Sequence, residues 1–206
     1  MIRAASGAAQ SAREIFRAPA FDADKQPLIV RQAYIEVRLQ NLLALSASGK
    51  CEAIDDRVGT IGLEDRDIAF TLYGFGQFIR TPHFQYYLGV VEANCGLHKQ
   101  AQKYWTNVAK AKASPSSPEF AYPLLASTRL QADPSKTPAA GAAKSLPFPA
   151  QEDATGDSVR ALNQALALRA AGDESGTLAL LAKIVNGTTD IMVRYLAVTE
   201  MKLKFP

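Results

Sequence analysis

The sequence predicts an all-α chain built of antiparallel helical hairpins, and three observations predict it. Apolar residues recur at three- and four-residue steps over long runs, the spacing of one helix face. Most runs stop at glycine or at a proline-containing break, the positions at which helices end. The breaks themselves recur. Turn centres at Gly49, Gly96, Asp133 and Gly172 are 47, 37 and 39 residues apart, and periods in the upper thirties belong to stacked helix pairs.

Each element follows from the local pattern. The opening "MIRAASGAAQSAREIFRAPAF" reads as an amphipathic helix. Ser6, Gln10, Ser11, Arg13 and Glu14 interrupt the apolar stretch of roughly 7–15 residues that a signal peptide needs. From 28 to 47, Ile35, Leu39, Leu42, Leu43 and Leu45 mark a helix that ends before Gly49, and a short helix is expected from Lys50 to about Val58. Residues 59–82 break the period, and Gly59, Gly62, Gly74 and Gly76 argue against a continuous helix there. This is read as an irregular insertion, the one place where a little strand is expected. Helices are then expected over His83–Asn94 and from Lys99 to about Lys112, the second closed by "ASPSSP". A further run, "EFAYPLLASTRLQA", stops at "DPSK", and Pro138 suits the first turn of a helix through about Leu146. The last hairpin starts near Asp157, an N-cap candidate, turns at Gly172 and continues through "DESGTLALLAKIVNG"; "TDIMVRYLAVTEMKLK" supplies the final helix.

Composition narrows the function classes. Of the 206 residues, 48% are hydrophobic and 21% charged, which is enough apolar material for a buried core. A net charge of +3 with scattered Lys and Arg gives no basic stripe, so nucleic acid is not expected as a partner. No run of about 18 apolar residues is present, so no membrane span is expected. One domain covering residues 1–206 is expected.

Chemistry-bearing constellations are sparse. The two histidines, His83 and His98, have no ligands at zinc spacing. Cys51 and Cys95 lie beside turn glycines and are read as structural thiols, with a disulfide between them as the alternative. Cys95 and His98 are close in sequence, but one turn does not align a base with a thiolate. Glu64, Asp65 and Asp67 read as a solvated acidic face. "YGFGQFIR" begins like a dinucleotide fingerprint, but position 79 is Ile where the third glycine belongs. It is read as a glycine-kinked aromatic segment packed on the helices. Asn186-Gly187-Thr188 fits an N-glycosylation sequon. No catalytic residue, metal site or cofactor is expected, and the chain is not read as an enzyme.

One stretch carries a resemblance. In "YYLGVVEANCGLHKQAQKYW" the residues Leu88, Gly89, Gly96, Ala101 and Trp105 stand at the spacing of the tetratricopeptide repeat, a helix-turn-helix family. Small residues at Gly89 and Ala101 would let the two helices approach closely, with Leu88 and Trp105 filling the space on either side. The second clear hairpin, "ALNQALALRAAGDESGTLALLAKI", keeps Ala165 and Gly172 but has Thr177 where Ala is usual and Leu181 where an aromatic is usual. The resemblance implies a right-handed α-α superhelix whose first helices line a concave wall. It places Tyr86, Val90, Ala93 and Asn94 of one repeat, and Leu162, Leu166 and Arg169 of another, on that wall. Tyr86 is the apolar anchor candidate and Arg169 the charged one, while Trp105 is expected to anchor the core. The function so implied is a non-enzymatic module that binds a protein, a peptide or a neighbouring domain of the same chain. The alternative is a helical C-terminal accessory region of a larger enzyme acting on carbohydrate or cell-envelope material, prompted by the abrupt start and the aromatic-rich insertion.

Overall fold

A computed structural model of the chain describes residues 27–63, 75–132 and 154–203. Every regular element among them is an α-helix: α1 (Pro27–Ala47), α2 (Ile54–Gly59), α3 (Gly76–Ile79), α4 (Pro82–Asn94), α5 (His98–Ala109), α6 (Tyr122–Gln131), α7 (Ala154–Ala170), α8 (Glu174–Gly187) and α9 (Ile191–Lys202). The described residues are all-α, as the periodicity predicts. It divides into two compact units, Met1–Tyr104 and Trp105–Pro206.

In the first unit α4 lies against α1, α2 and α3. Its sequence explains that position. "HFQYYLGVVE" is apolar or aromatic around most of its circumference, so nearly every residue from His83 to Glu92 is buried, as expected of a helix enclosed on several sides. α1 supplies Tyr34, Ile35, Val37, Leu39, Leu42 and Leu43 to the same core. The insertion contributes as well. Phe75 is buried and its ring stacks on Tyr34 with centroids 5.6 Å apart, and α3 packs on both α1 and α4. The described residues of the insertion hold short helices and turns. Glu64, Asp65, Asp67 and Gly74 lie outside the described residues, as do the turn at Asp133 and the segment from Pro138 to Leu146.

In the second unit α7 packs on α6, α8 and α9, and α8 packs on α9. Val159, Leu162, Ala165 and Leu166 of α7 are buried together with Leu181, Ile184, Val193, Leu196 and Ala197. Both later helices start on an aspartate cap. The Asp173 carboxylate accepts the Gly176 N–H at 2.8 Å, and Asp190 accepts the N–H groups of Met192 and Val193 at 2.9 and 3.0 Å. Each cap satisfies donors that a helix start leaves without partners.

Three hairpin turns use one device. The glycine after α1, α4 and α7 adopts a positive φ: +73° at Gly49, +76° at Gly96 and +83° at Gly172. In each turn the glycine N–H donates to the carbonyl three residues back, Ser46, Ala93 or Arg169, at 3.0–3.1 Å. The next N–H, of Lys50, Leu97 or Asp173, donates to the carbonyl five residues back, Leu45, Glu92 or Leu168, at 2.9–3.0 Å. These are Schellman ends, which satisfy the last carbonyls of a helix and require a residue at ease in the left-handed region. No atom lies within 4 Å of where a Cβ would sit at Gly172, so alanine there is opposed by backbone strain alone. Gly172→Ala is expected to destabilise the protein by about 1–2 kcal/mol, read as a lower urea midpoint with an unchanged slope.

Some boundaries differ from the sequence pattern, each for a local reason. α2 starts at Ile54 rather than Lys50, because the chain first makes a turn through Cys51 and enters the helix from Ala53 in the left-handed conformation, φ 54°. α6 starts at Tyr122, which leaves Pro123 in the first turn, where its missing N–H costs nothing. α7 starts three residues before Asp157. That aspartate pairs with Arg160 at 2.9 Å instead of capping the helix. Cys51 and Cys95, read as thiols, are joined in a disulfide with Cα atoms 5.4 Å apart. The reason is the pairing of the hairpins: Cys51 follows the Gly49 turn, Cys95 precedes Gly96, and the packing of α2 on α4 brings the two turns together.

Candidate functional site

The seven residues assigned to a concave wall fall in both units, and five of them are the candidate contacts. Tyr86, Val90 and Asn94 belong to the first, and Leu162 and Arg169 to the second. Tyr86 and Leu162 are 0% exposed, Val90 4% and Arg169 1%, whereas Asn94 is exposed. Tyr86 makes an edge contact with Tyr87, with centroids 5.6 Å apart. The burial follows from α4 and α7 each being flanked by three helices of their own unit. A partner would reach Asn94 directly and the other four only by displacing covering side chains. Leu88, Gly89, Ala101 and Trp105 of the repeat-like motif are also buried. The Arg129 guanidinium lies 5.6 Å from the centre of the Trp105 ring, close enough for a cation–π contact.

Arg169 is committed to the interior. Its Nη2 and Nε donate to the two carboxylate oxygens of Glu174 at 2.8 and 3.3 Å. Its Nη1 donates to the Glu200 carboxylate and to the Glu200 carbonyl, both at 2.7 Å. The Tyr122 hydroxyl completes the cluster by donating to the other Glu200 oxygen at 3.4 Å. Burial by itself would lower the Arg169 pKa, but the adjacent Glu200 and Glu174 outweigh it and hold the guanidinium above its usual range. α6, α7, α8 and α9 thus meet around one charge-compensated knot.

Two polar clusters occupy the first unit. His83 Nε2 lies 2.7 Å from Glu36 Oε1, both side chains being almost fully buried, so α1 and α4 share a buried hydrogen bond as well as an apolar face. The second cluster surrounds the disulfide. Glu92 is 1% exposed and neither of its carboxylate oxygens meets a hydrogen-bond donor. Burial first, and then the charge and carboxyl contact of Asp55, push its pKa up to about 7. The Tyr104 phenol is raised by burial and then by Glu92 and Asp55. Chemically, such a pair can hold one proton between two carboxyl groups.

The sequence pattern missed this cluster although a signal was present. Asp55 is four residues after Cys51, and Glu92 three before Cys95. Each acid therefore lies about one helical turn from a half-cystine, and taking the two cysteines as bonded brings the carboxylates together. Glu174 and Glu200 carry no comparable signal, because their partner Arg169 comes from another helix. Among the described residues no group of three or more His, Cys, Asp or Glu side chains is arranged to hold a metal ion, and no helix is long and apolar enough to cross a membrane. No protein-family model matches the chain, and neither a curated protein nor a solved structure gives a significant match.

Proposed function

We propose that the chain is a non-enzymatic binding or scaffolding module for a protein, a peptide or a neighbouring domain, built on helical hairpins of the tetratricopeptide type. The observation that carries this reading is the repetition of one Schellman turn at Gly49, Gly96 and Gly172. Helix pairs that turn in one way at regular intervals are the building unit of repeat architectures, which bind along an extended surface. The interval between Gly96 and Gly172 is 76 residues, two periods of 38, in keeping with repeats of one length. Support also comes from the buried charges. Arg169 pairs with Glu200 in the second unit and His83 with Glu36 in the first, arrangements suited to holding helices together within each unit.

Within this reading the buried first-helix residues shape each unit, and contact with a partner falls to exposed positions such as Asn94. Its amide offers both donors and an acceptor, and the amide bond it makes among the described residues, to Ser46 Oγ, is long at 3.3 Å. The test is to capture partners on the immobilised chain and to measure their affinity for the wild type and for Asn94→Arg. The reading expects at least a tenfold loss of affinity with a melting temperature within about two degrees of wild type. Unchanged affinity for every captured partner would remove Asn94 from the binding surface.

A further inference from the structure

The Cys51–Cys95 disulfide joins the start of α2 to the end of α4, and an acid stands on each of those two helices. Glu92, on the last turns of α4, is enclosed, and neither of its oxygens has a donor. Asp55, on the first turn of α2, is exposed to solvent and lies close enough to raise the affinity of Glu92 for a proton. The arrangement is tethered from both sides. Cys51 stands just before α2 and Cys95 is the residue that ends α4, so the bond between them keeps the two acids from drifting apart. The Glu92 carbonyl also accepts the N–H groups of Cys95 and Leu97 at 3.1 and 2.9 Å, which fixes the backbone from which its side chain projects. A carboxylate with no donor in a buried site is costly, and a second carboxylate opposite adds repulsion. One shared proton removes both penalties, since a protonated carboxyl donates to its ionised neighbour.

We propose that Glu92 and Asp55 form a proton-binding latch that fastens α2 to the end of α4 in mildly acidic surroundings and loosens it when the proton leaves. Other charged groups stand on the elements around Glu92. On α5, His98, Lys99 and Lys103 are exposed, and the Tyr104 phenol is raised further above its usual range. On α1, the Arg31 guanidinium lies over the Phe75 and Phe78 rings. α3 consists of Gly, Gln, Phe and Ile and carries no titratable group. On α1, Glu36 is bonded to His83, nine residues from Glu92 and so about 13 Å along α4. Arg38 donates to the carbonyls of Leu63 and Thr60. On α2 the remaining charges, Asp56 and Arg57, are exposed.

The sign of the effect follows from the raised affinity for the proton. The folded chain holds a proton on Glu92 up to about pH 7, whereas an unfolded glutamate releases it near 4.5. The stability contributed by the latch is therefore fully present below about pH 4.5 and is lost as pH rises through about 7. Over that interval one proton lowers the folding equilibrium constant by up to tenfold per pH unit.

The experiment uses the oxidised chain without reductant. Side-chain carbon NMR of glutamate-labelled protein should show Glu92 titrating near 7. Asp55→Asn should move that midpoint down while leaving it above 4.5, because burial remains. Glu92→Gln, which keeps the shape and removes the proton, should flatten the fall in stability between pH 5 and 7. A Glu92 midpoint near 4.5, or an identical pH profile in Glu92→Gln, would overturn the proposal. So would a rise in melting temperature on adding millimolar calcium or manganese at pH 8 that Glu92→Gln abolishes, since the pair would then be a cation site.

Discussion

Arg169→Ala is expected to lower stability by about 3–5 kcal/mol, the range for removing one partner of a buried ion pair. The expectation rests on what is left behind. Without the guanidinium, the fully buried Glu200 carboxylate loses its 2.7 Å charged donor, and the Glu200 carbonyl loses the same donor. Glu174, half-exposed, can turn to water and costs little. Two further variants separate charge from size. Arg169→Met keeps much of the volume but removes the cation from beside Glu200, so it should remain strongly destabilised. Adding Glu200→Gln to Arg169→Met should recover part of the loss, because the buried charge is gone. Urea denaturation followed by circular dichroism gives all three values. A solvent-exposed arginine reaching for a ligand would behave otherwise: its removal would shift stability by less than about 0.5 kcal/mol.

Removing the disulfide should have an effect of similar size. Cys51 and Cys95 are 44 residues apart, and constraining a loop of that length in the unfolded chain is worth about 4 kcal/mol on chain-entropy grounds. The double variant Cys51→Ser/Cys95→Ser, or the wild type under strong reductant, should therefore unfold at a markedly lower denaturant concentration. The second unit lies outside the tethered loop, and its helices should keep their signal longest. Equal denaturation midpoints with and without reductant would show that the two turns are held together by packing alone. The contribution exists only where thiols are oxidised.

Glycines made much of the fold legible. Gly49, Gly96 and Gly172 mark helix ends in the sequence because an ending of this geometry suits glycine best, and all three adopt the expected conformation. Asp173 caps α8, a role that the sequence pattern did not single out. The candidate site was much less legible. Arg169 just before Gly172 looks like a solvated cation at a helix end, and nothing nearby in sequence indicates that Glu200, 31 residues on, will accept from it. Tyr86 and Val90 look like residues of an open wall when α4 is considered beside its own hairpin partner. They are buried because α1 and α3 also cover α4, and the insertion that supplies α3 has no period to announce it. Asp157 shows the limit of capping signals, since an i,i+3 arginine can satisfy an aspartate inside the helix as well.

The claim that this chain binds without catalysing is tested most directly by the mass of what it binds. The oxidised chain is immobilised, loaded with captured partner and incubated for hours at pH 6 and at pH 8, and the bound and released material is weighed by intact mass spectrometry. The account predicts a protein or peptide recovered at its original mass, in saturable and stoichiometric amount, at both pH values. Recovery of cleaved or covalently altered material, absent from a heat-denatured control, would contradict it.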